Sequence, residues 1–232
     1  MTTYLAESTD LAAVANAIRA KGGTTASLAF PSGFVSAISA IATGGGGITV
    51  DDIAMRTISG IVSGNTSFIG SYAFAGCRNL TTASFPACTS IGGYAFNGCS
   101  SLATVSFPAC MSISGYAFYN CFGLTTVSFP ACTSISTYAF YTCRNLTTAS
   151  FASTVNLIGS SAFRSCYKLI SLYLTGVSKV PTLSAGVFSS TPIGGYSASA
   201  GQYGSVFVPS SLYASFLKAT NWKTISARIV SV

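Results

Sequence analysis

Apolar and polar residues alternate in short bursts that return at a fixed interval along most of the chain. In Leu102-Ala-Thr-Val105-Ser-Phe107 the apolar side chains fall inward and the polar ones outward, as in a short strand with one buried face. Pro108 follows at once and ends the strand, since it has no N–H to give to a ladder. Cys110 and Ile113 then point back inward. Tyr116-Ala117-Phe118 and Cys121 read as a turn or short helical piece in which Phe118 fills the core.

This unit repeats. The stretch from Leu80 to Cys99 recurs from Leu102, from Leu124 and, with drift, from Leu146. The Ala-Phe pair falls at Ala73-Phe74, Ala95-Phe96, Ala117-Phe118, Ala139-Phe140 and Ala162-Phe163, spaced by 22 residues three times and then by 23. Degenerate copies flank the array, from Ile58 to Cys77 and from Leu169 to Phe188. One such coil cannot bury its apolar face, but stacked coils form a continuous core. The pattern therefore predicts a mostly β solenoid with short helices, of roughly six coils. At strand spacing the stack would be about 25–30 Å long.

The two ends depart from the repeat. Thr9 and Asp10 can cap a helix from Leu11 to about Ala20, with Leu11, Val14, Ala15 and Ile18 on one face and Gly22-Gly23 as the stop. A second short helix is expected after Pro31, carrying Phe34, Ile38 and Ile41. These two helices would form a hairpin over residues 1–43, followed by a glycine-rich linker over 44–52, the solenoid over 53–192 and a C-terminal cap over 193–232. In that cap, Val206-Phe-Val-Pro209 reads as a last strand. Ser210 or Ser211 would then cap a helix bearing Leu212, Tyr213, Phe216 and Leu217 and shielding the open edge of the last coil.

The pattern L-x-x-V-x-F-P-x-C-x-x-I-x-x-x-A-F-x-x-C resembles the BspA-like leucine-rich repeat family, over about residues 53–190. That resemblance implies a right-handed solenoid used in surface adhesion and in protein or glycan binding, without enzymatic activity. The chain departs from the family in having Phe before Pro where Ile is usual and Cys in Pro-Ala-Cys where Val is usual. It also lacks nearly all the solvent-facing Asp, Glu and Lys. The phrase from Asp10 to Gly23, continued by Phe30-Pro-Ser-Gly-Phe-Val-Ser-Ala-Ile38, resembles a leader of phage and prophage structural proteins of Gram-positive gut bacteria. The ending from Val208-Pro209 through Asn221-Trp222 resembles the close of such proteins. The leader can equally be a plain N-terminal cap.

Charge narrows the chemistry. Only 6% of residues are charged, and all four acids (Glu7, Asp10, Asp51, Asp52) lie in the first 52 residues. The remainder carries nine basic side chains and no carboxylate side chain, so it can favour polyanions, although the dispersed charges suit plain solubility better and argue against nucleic acid. There is no histidine, which excludes Ser-His-Asp and Cys-His sites. With no carboxylate side chain after Asp52, the repeats hold neither a two-carboxylate glycosidase centre nor a calcium or magnesium cage. The expectation is no enzyme, no catalytic residue, no metal and no cofactor. Eight cysteines form two columns, Cys77/Cys99/Cys121/Cys143/Cys166 and Cys88/Cys110/Cys132, without a C-x-x-C pair. Each falls on an inward phase, so buried thiols are expected. That suits cytoplasmic folding, as does an N-terminus with no basic-then-apolar signal pattern. No apolar run is long enough to span a bilayer.

Two outward columns remain as candidate binding surfaces. One is Tyr72, Tyr94, Tyr116 and Tyr138, with Tyr119 and Tyr141 close by. The other is the strand face of Thr82, Thr104, Thr126 and Thr148 with Ser84, Ser106, Ser128 and Ser150, changing to Ser171 and Tyr173. Both have an ordinary structural use, yet together they offer a regular, low-charge face of hydroxyls and rings. The expected role is a virion component, a tail or baseplate appendage assembled in the bacterial cytoplasm. Its N-terminal segment would meet other virion proteins and its solenoid a host-surface glycan or protein. The alternative is a cell-surface adhesin; a homo-oligomer is left open.

Overall fold

The computed structural model describes residues 59–151, 155–195 and 202–232. The helical hairpin and linker expected over residues 1–52 lie outside them. The described chain is a solenoid whose coils contribute strands to three parallel sheets, of three, five and six strands.

The first sheet surface is built from β1 (Ser59–Ser63), β3 (Asn79–Ser84), β5 (Thr104–Ser106), β7 (Thr126–Ser128), β9 (Thr148–Ser150), β11 (Ser171–Tyr173) and β13 (Ser205–Val208). These are the strands the alternation predicts. In register, Thr82 pairs with Thr104 and Ser84 with Ser106, and further on Thr126 pairs with Thr148 and Ser128 with Ser150. A second set of two-residue strands forms a continuous sheet: β2 (Phe68–Ile69), β4 (Ser90–Ile91), β6 (Ser112–Ile113), β8 (Ser134–Ile135), β10 (Leu157–Ile158) and β12 (Thr182–Leu183). Two residues are too few to show a period of two, so the sequence pattern points only to an inward isoleucine there.

Between the sheets run two rows of phenylalanine rings. Phe74, Phe96, Phe118, Phe140 and Phe163 stack at 5.1–5.2 Å, and Phe188 extends the row. Phe85, Phe107, Phe129 and Phe151 form the second row at 5.7–6.2 Å. The one-coil spacing sets both intervals, so each ring fills the gap its neighbours leave. All eight cysteines are buried. Cys99, Cys121, Cys143 and Cys166 donate their thiol protons to the carbonyls of Phe74, Phe96, Phe118 and Phe140. Burial pushes the Cys110 and Cys132 thiols up to about 12.

Three details correct the sequence reading. The first sheet is interrupted between β5 and β7, and there Val105 is only half-buried, whereas Val127 and Ala149 in the same phase are buried. Phe122-Gly123 lies just before β7, and there the two coils approach closely: a Cβ on Gly123 would sit 2.8 Å from the Leu102 carbonyl oxygen. Secondly, β13 is not the last strand. The chain returns to add β14 (Ile229–Ser231) in parallel beside it. Thirdly, no serine side chain caps the C-terminal helix. Ser210–Leu212 form a 3-10 turn after Pro209, and α1 (Tyr213–Lys218) starts from Leu212 with no side-chain cap bond. Burial of Phe216 holds the helix in place instead.

Candidate binding face

The tyrosine column lies in the turn between a two-residue strand and the buried Ala-Phe pair. Tyr72, Tyr94, Tyr116 and Tyr138 all take positive φ, from 58° to 61°. This left-handed backbone reverses the chain so that the next two residues can turn inward; it costs an L-residue about 1–2 kcal/mol. Ring stacking offsets that cost. Centroids of Tyr72–Tyr94, Tyr94–Tyr116 and Tyr116–Tyr138 lie 4.8, 4.6 and 4.8 Å apart, the first two pairs within 4° of parallel. Tyr119 and Tyr141 stack beside them at 5.4 Å and meet Tyr116 and Tyr138 edge-on at 5.8 and 5.4 Å. All six tyrosines named from the sequence are thus on one face.

Stacking decides what that face can offer. Each inner ring has both faces covered by its neighbours, so Tyr94 and Tyr116 present edges and hydroxyl groups rather than a platform. Desolvation among the rings, and then the neighbouring phenols, raise the Tyr116 hydroxyl above its ordinary range and keep it a proton donor. Only the end rings have an outer face that no further tyrosine of the column covers.

On the strand face, Thr104 and Thr126 are exposed while Thr82 and Thr148 are half-buried. The four threonines form two aligned pairs, separated by the break between β5 and β7. The column Ser128–Ser150 continues in register to Tyr173 and Phe207, whose rings stack at 4.6 Å and 11°. Nearby, the Arg228 guanidinium lies 3.8 Å above the Tyr203 ring centroid. Neither pair was readable beforehand, because β13 and β14 join the sheet from outside the repeat.

Among the described residues no group of three metal-ligating side chains assembles, and no helix is long and apolar enough to cross a membrane.

Among curated proteins none matches this sequence. Three solved structures are similar. The Treponema (T. pallidum) leucine-rich repeat protein is 25% identical, with 62% of this chain and 84% of that one covered at a TM-score of 0.45. The pneumococcal vaccine antigen PcpA is 15% identical, with 74% and 39% covered at 0.50, a likeness of fold. A leucine-rich repeat protein from Bacteroides ovatus is 20% identical, with 65% and 54% covered at 0.38. The sequence itself matches the BspA type leucine rich repeat region in 6 copies over residues 67–193, and no enzymatic family is indicated. That match spans more than half of the chain and agrees with the observed coils, so the protein belongs to the BspA type leucine-rich repeat family.

Proposed function

We propose that this protein is a non-enzymatic binding module that presents its tyrosine face to a glycan or protein on a cell surface. One observation carries the reading: six tyrosines converge on a single face, four of them on backbone that disfavours an L-residue. Rigid phenol rings contribute contact area at low entropic cost. No carboxylate side chain follows Asp52, so the nine basic side chains of that part of the chain give it a net positive charge that can speed encounter with anionic surfaces.

Two settings suit such a module. The resemblance of the leader and of the Asn221-Trp222 ending to phage structural proteins favours a virion appendage. Membership of the BspA type family is compatible with a bacterial surface adhesin. Tail and holin genes beside this gene would support the first, and a signal-bearing or sortase-linked frame the second.

Binding is tested on whole cells with two triple variants. One changes Tyr94, Tyr116 and Tyr138 to Ser; the other changes Thr104, Thr126 and Thr148 to Lys. Loss of binding in the tyrosine set alone, with circular dichroism unchanged, supports the proposal. Binding by both sets at the parent level sinks it. Attachment that vanishes in moderate salt regardless of variant would mean nonspecific attraction by the basic body.

A further inference from the structure

The tyrosine ladder ends abruptly at Tyr138. The next coil is one residue longer, and Tyr138 N–H bonds to the Ser160 carbonyl while Phe140 N–H bonds to that of Ala162. Ser161 therefore occupies the column position after Tyr138. In the coil beyond, Ser161 N–H bonds to the Ala185 carbonyl and Phe163 N–H to that of Val187, which puts Gly186 next in line. The column thus falls from tyrosine to serine to glycine. Tyr138 is half-buried: among the described residues Tyr116 stacks on one side of its ring and Tyr141 meets its edge, and no aromatic ring covers its C-terminal face.

The small residues lead into a cleft. It has a volume of about 320 Å³ and lies between the last coil and the C-terminal cap. Ser184, Gly186 and Ser189 line it from the coil, and Asn221, Thr224 and Ile225 from the cap. No ionisable side chain lines it. Hydroxyl and amide groups surround an apolar patch, in a volume at the small end of ordinary ligand sites. On the cap side the Asn221 amide also donates to the Leu183 carbonyl and the Thr224 hydroxyl to the Asn221 carbonyl, which leaves their oxygens as acceptors. Arg164, which follows Tyr141 in the neighbouring column, is exposed outside the cleft.

This combination fits one ligand chemistry. A pyranose ring has an apolar C–H face that rests on the electron-rich face of an aromatic ring, and equatorial hydroxyl groups that each donate and accept. Tyr138 offers the ring face and the cleft offers the matching polar groups. They are two coil steps apart, about 10 Å at strand spacing. One sugar cannot reach both, but a short chain can. We infer that the C-terminal end of the tyrosine ladder and the cleft beside the cap form one binding site for the end of an oligosaccharide whose terminal unit is uncharged. The inference rests on the surface-binding reading and names its ligand class and its location on the face.

The full chain is applied to an array of neutral oligosaccharides and of the same chains ending in an acidic sugar. The best binder is then titrated by calorimetry. Neutral termini should bind and acidic ones should not. Tyr138→Ala removes the platform, and Ser189→Trp fills the cleft from an exposed position that the fold does not need. Each should weaken binding at least tenfold, while Met111→Ser, which removes an exposed side chain elsewhere, should leave it within twofold. Preference for acidic termini overturns the inference, as does binding that survives both site variants or an array with no binder. If the array is blank while cells are still bound through the tyrosine face, the oligosaccharide site falls and the surface-binding module stands. If neither cells nor glycans are bound, both fall.

Discussion

Trp222 donates its indole N–H to the Pro181 carbonyl at 2.7 Å, across 41 residues. Beside it the Asn221 side-chain amide donates to the Leu183 carbonyl at 2.6 Å. In every earlier coil the corresponding carbonyls accept backbone N–H groups from the coil that follows: Asn156 and Ile158 accept from Thr182 and Ser184. After β12 no further coil arrives in this sheet, and two side chains supply the missing donors. The cap thereby closes an edge that would otherwise recruit another strand.

Trp222→Phe should keep most of the packing against Phe216 but leave the Pro181 carbonyl without its donor. The expected cost is about 1–3 kcal/mol. Trp222→Ala also empties a site that is fully buried, raising the loss to about 3–5 kcal/mol. Denaturant unfolding measures both. A Phe variant as stable as the parent would mean the bond contributes nothing.

Phe118→Ala should be among the most damaging single changes, at about 3–5 kcal/mol. The ring is stacked between Phe96 at 5.2 Å and Phe140 at 5.1 Å, and its side is closed by Phe107 and Phe129. An unchanged unfolding midpoint would contradict this packing.

The buried cysteines make a prediction about alkali. Burial raises Cys110 and Cys132 to about 12 from 9.0, so the folded chain keeps protons that the unfolded chain gives up above pH 9. Their contribution is fully present below that pH and declines as pH rises toward 12, on the order of 1.4 kcal/mol per pH unit for each group. Cys110→Ala should flatten the decline between about pH 9 and 11; an unchanged slope would rule out the burial effect. Thiol titration in denaturant without reductant should find close to eight groups, the full cysteine complement. Four disulfides would contradict the buried-thiol core.

Gly159 marks the turn that starts the longer coil. A Cβ there would stand 2.6 Å from the backbone of both Ser136 and Thr137. Because the obstruction is backbone, Gly159→Ala should cost about 1–3 kcal/mol and shift the turn carrying Ser161. A variant with parental stability would show that the coils can separate locally without penalty.

Much of the candidate face was legible beforehand. A 22-residue period puts Tyr94, Tyr116 and Tyr138 in one column whatever the details of the coil, and it puts Thr82 beside Thr104. Their environment was not legible. That the inner rings cover one another depends on a left-handed φ, which no residue type along the chain announces, since tyrosine is not a usual occupant. The cleft was equally hidden, because Gly186 and Thr224 belong to segments that share no pattern. Nor did any pattern announce the break between β5 and β7, which falls within an otherwise regular copy.

What the amino-acid sequence determined by itself is the coil: its length, the inward phase of Leu, Phe, Ile and Cys, and the strand stop at proline. These follow from local periodicity, because a repeat that buries the same positions every 22 residues has one economical way to stack. Only the tertiary structure decided how the stack ends and what its surface exposes. Ile229–Ser231 became a strand, and Asn221 and Trp222 became ladder donors, because of partners 23 to 41 residues away rather than because of their own propensities. That the tyrosine ladder stops at Tyr138 is already written in the chain, where Ser161 precedes the Ala162-Phe163 pair; that Gly186 and Thr224 meet in one cleft is not, because the cap reaches the last coil only through the fold.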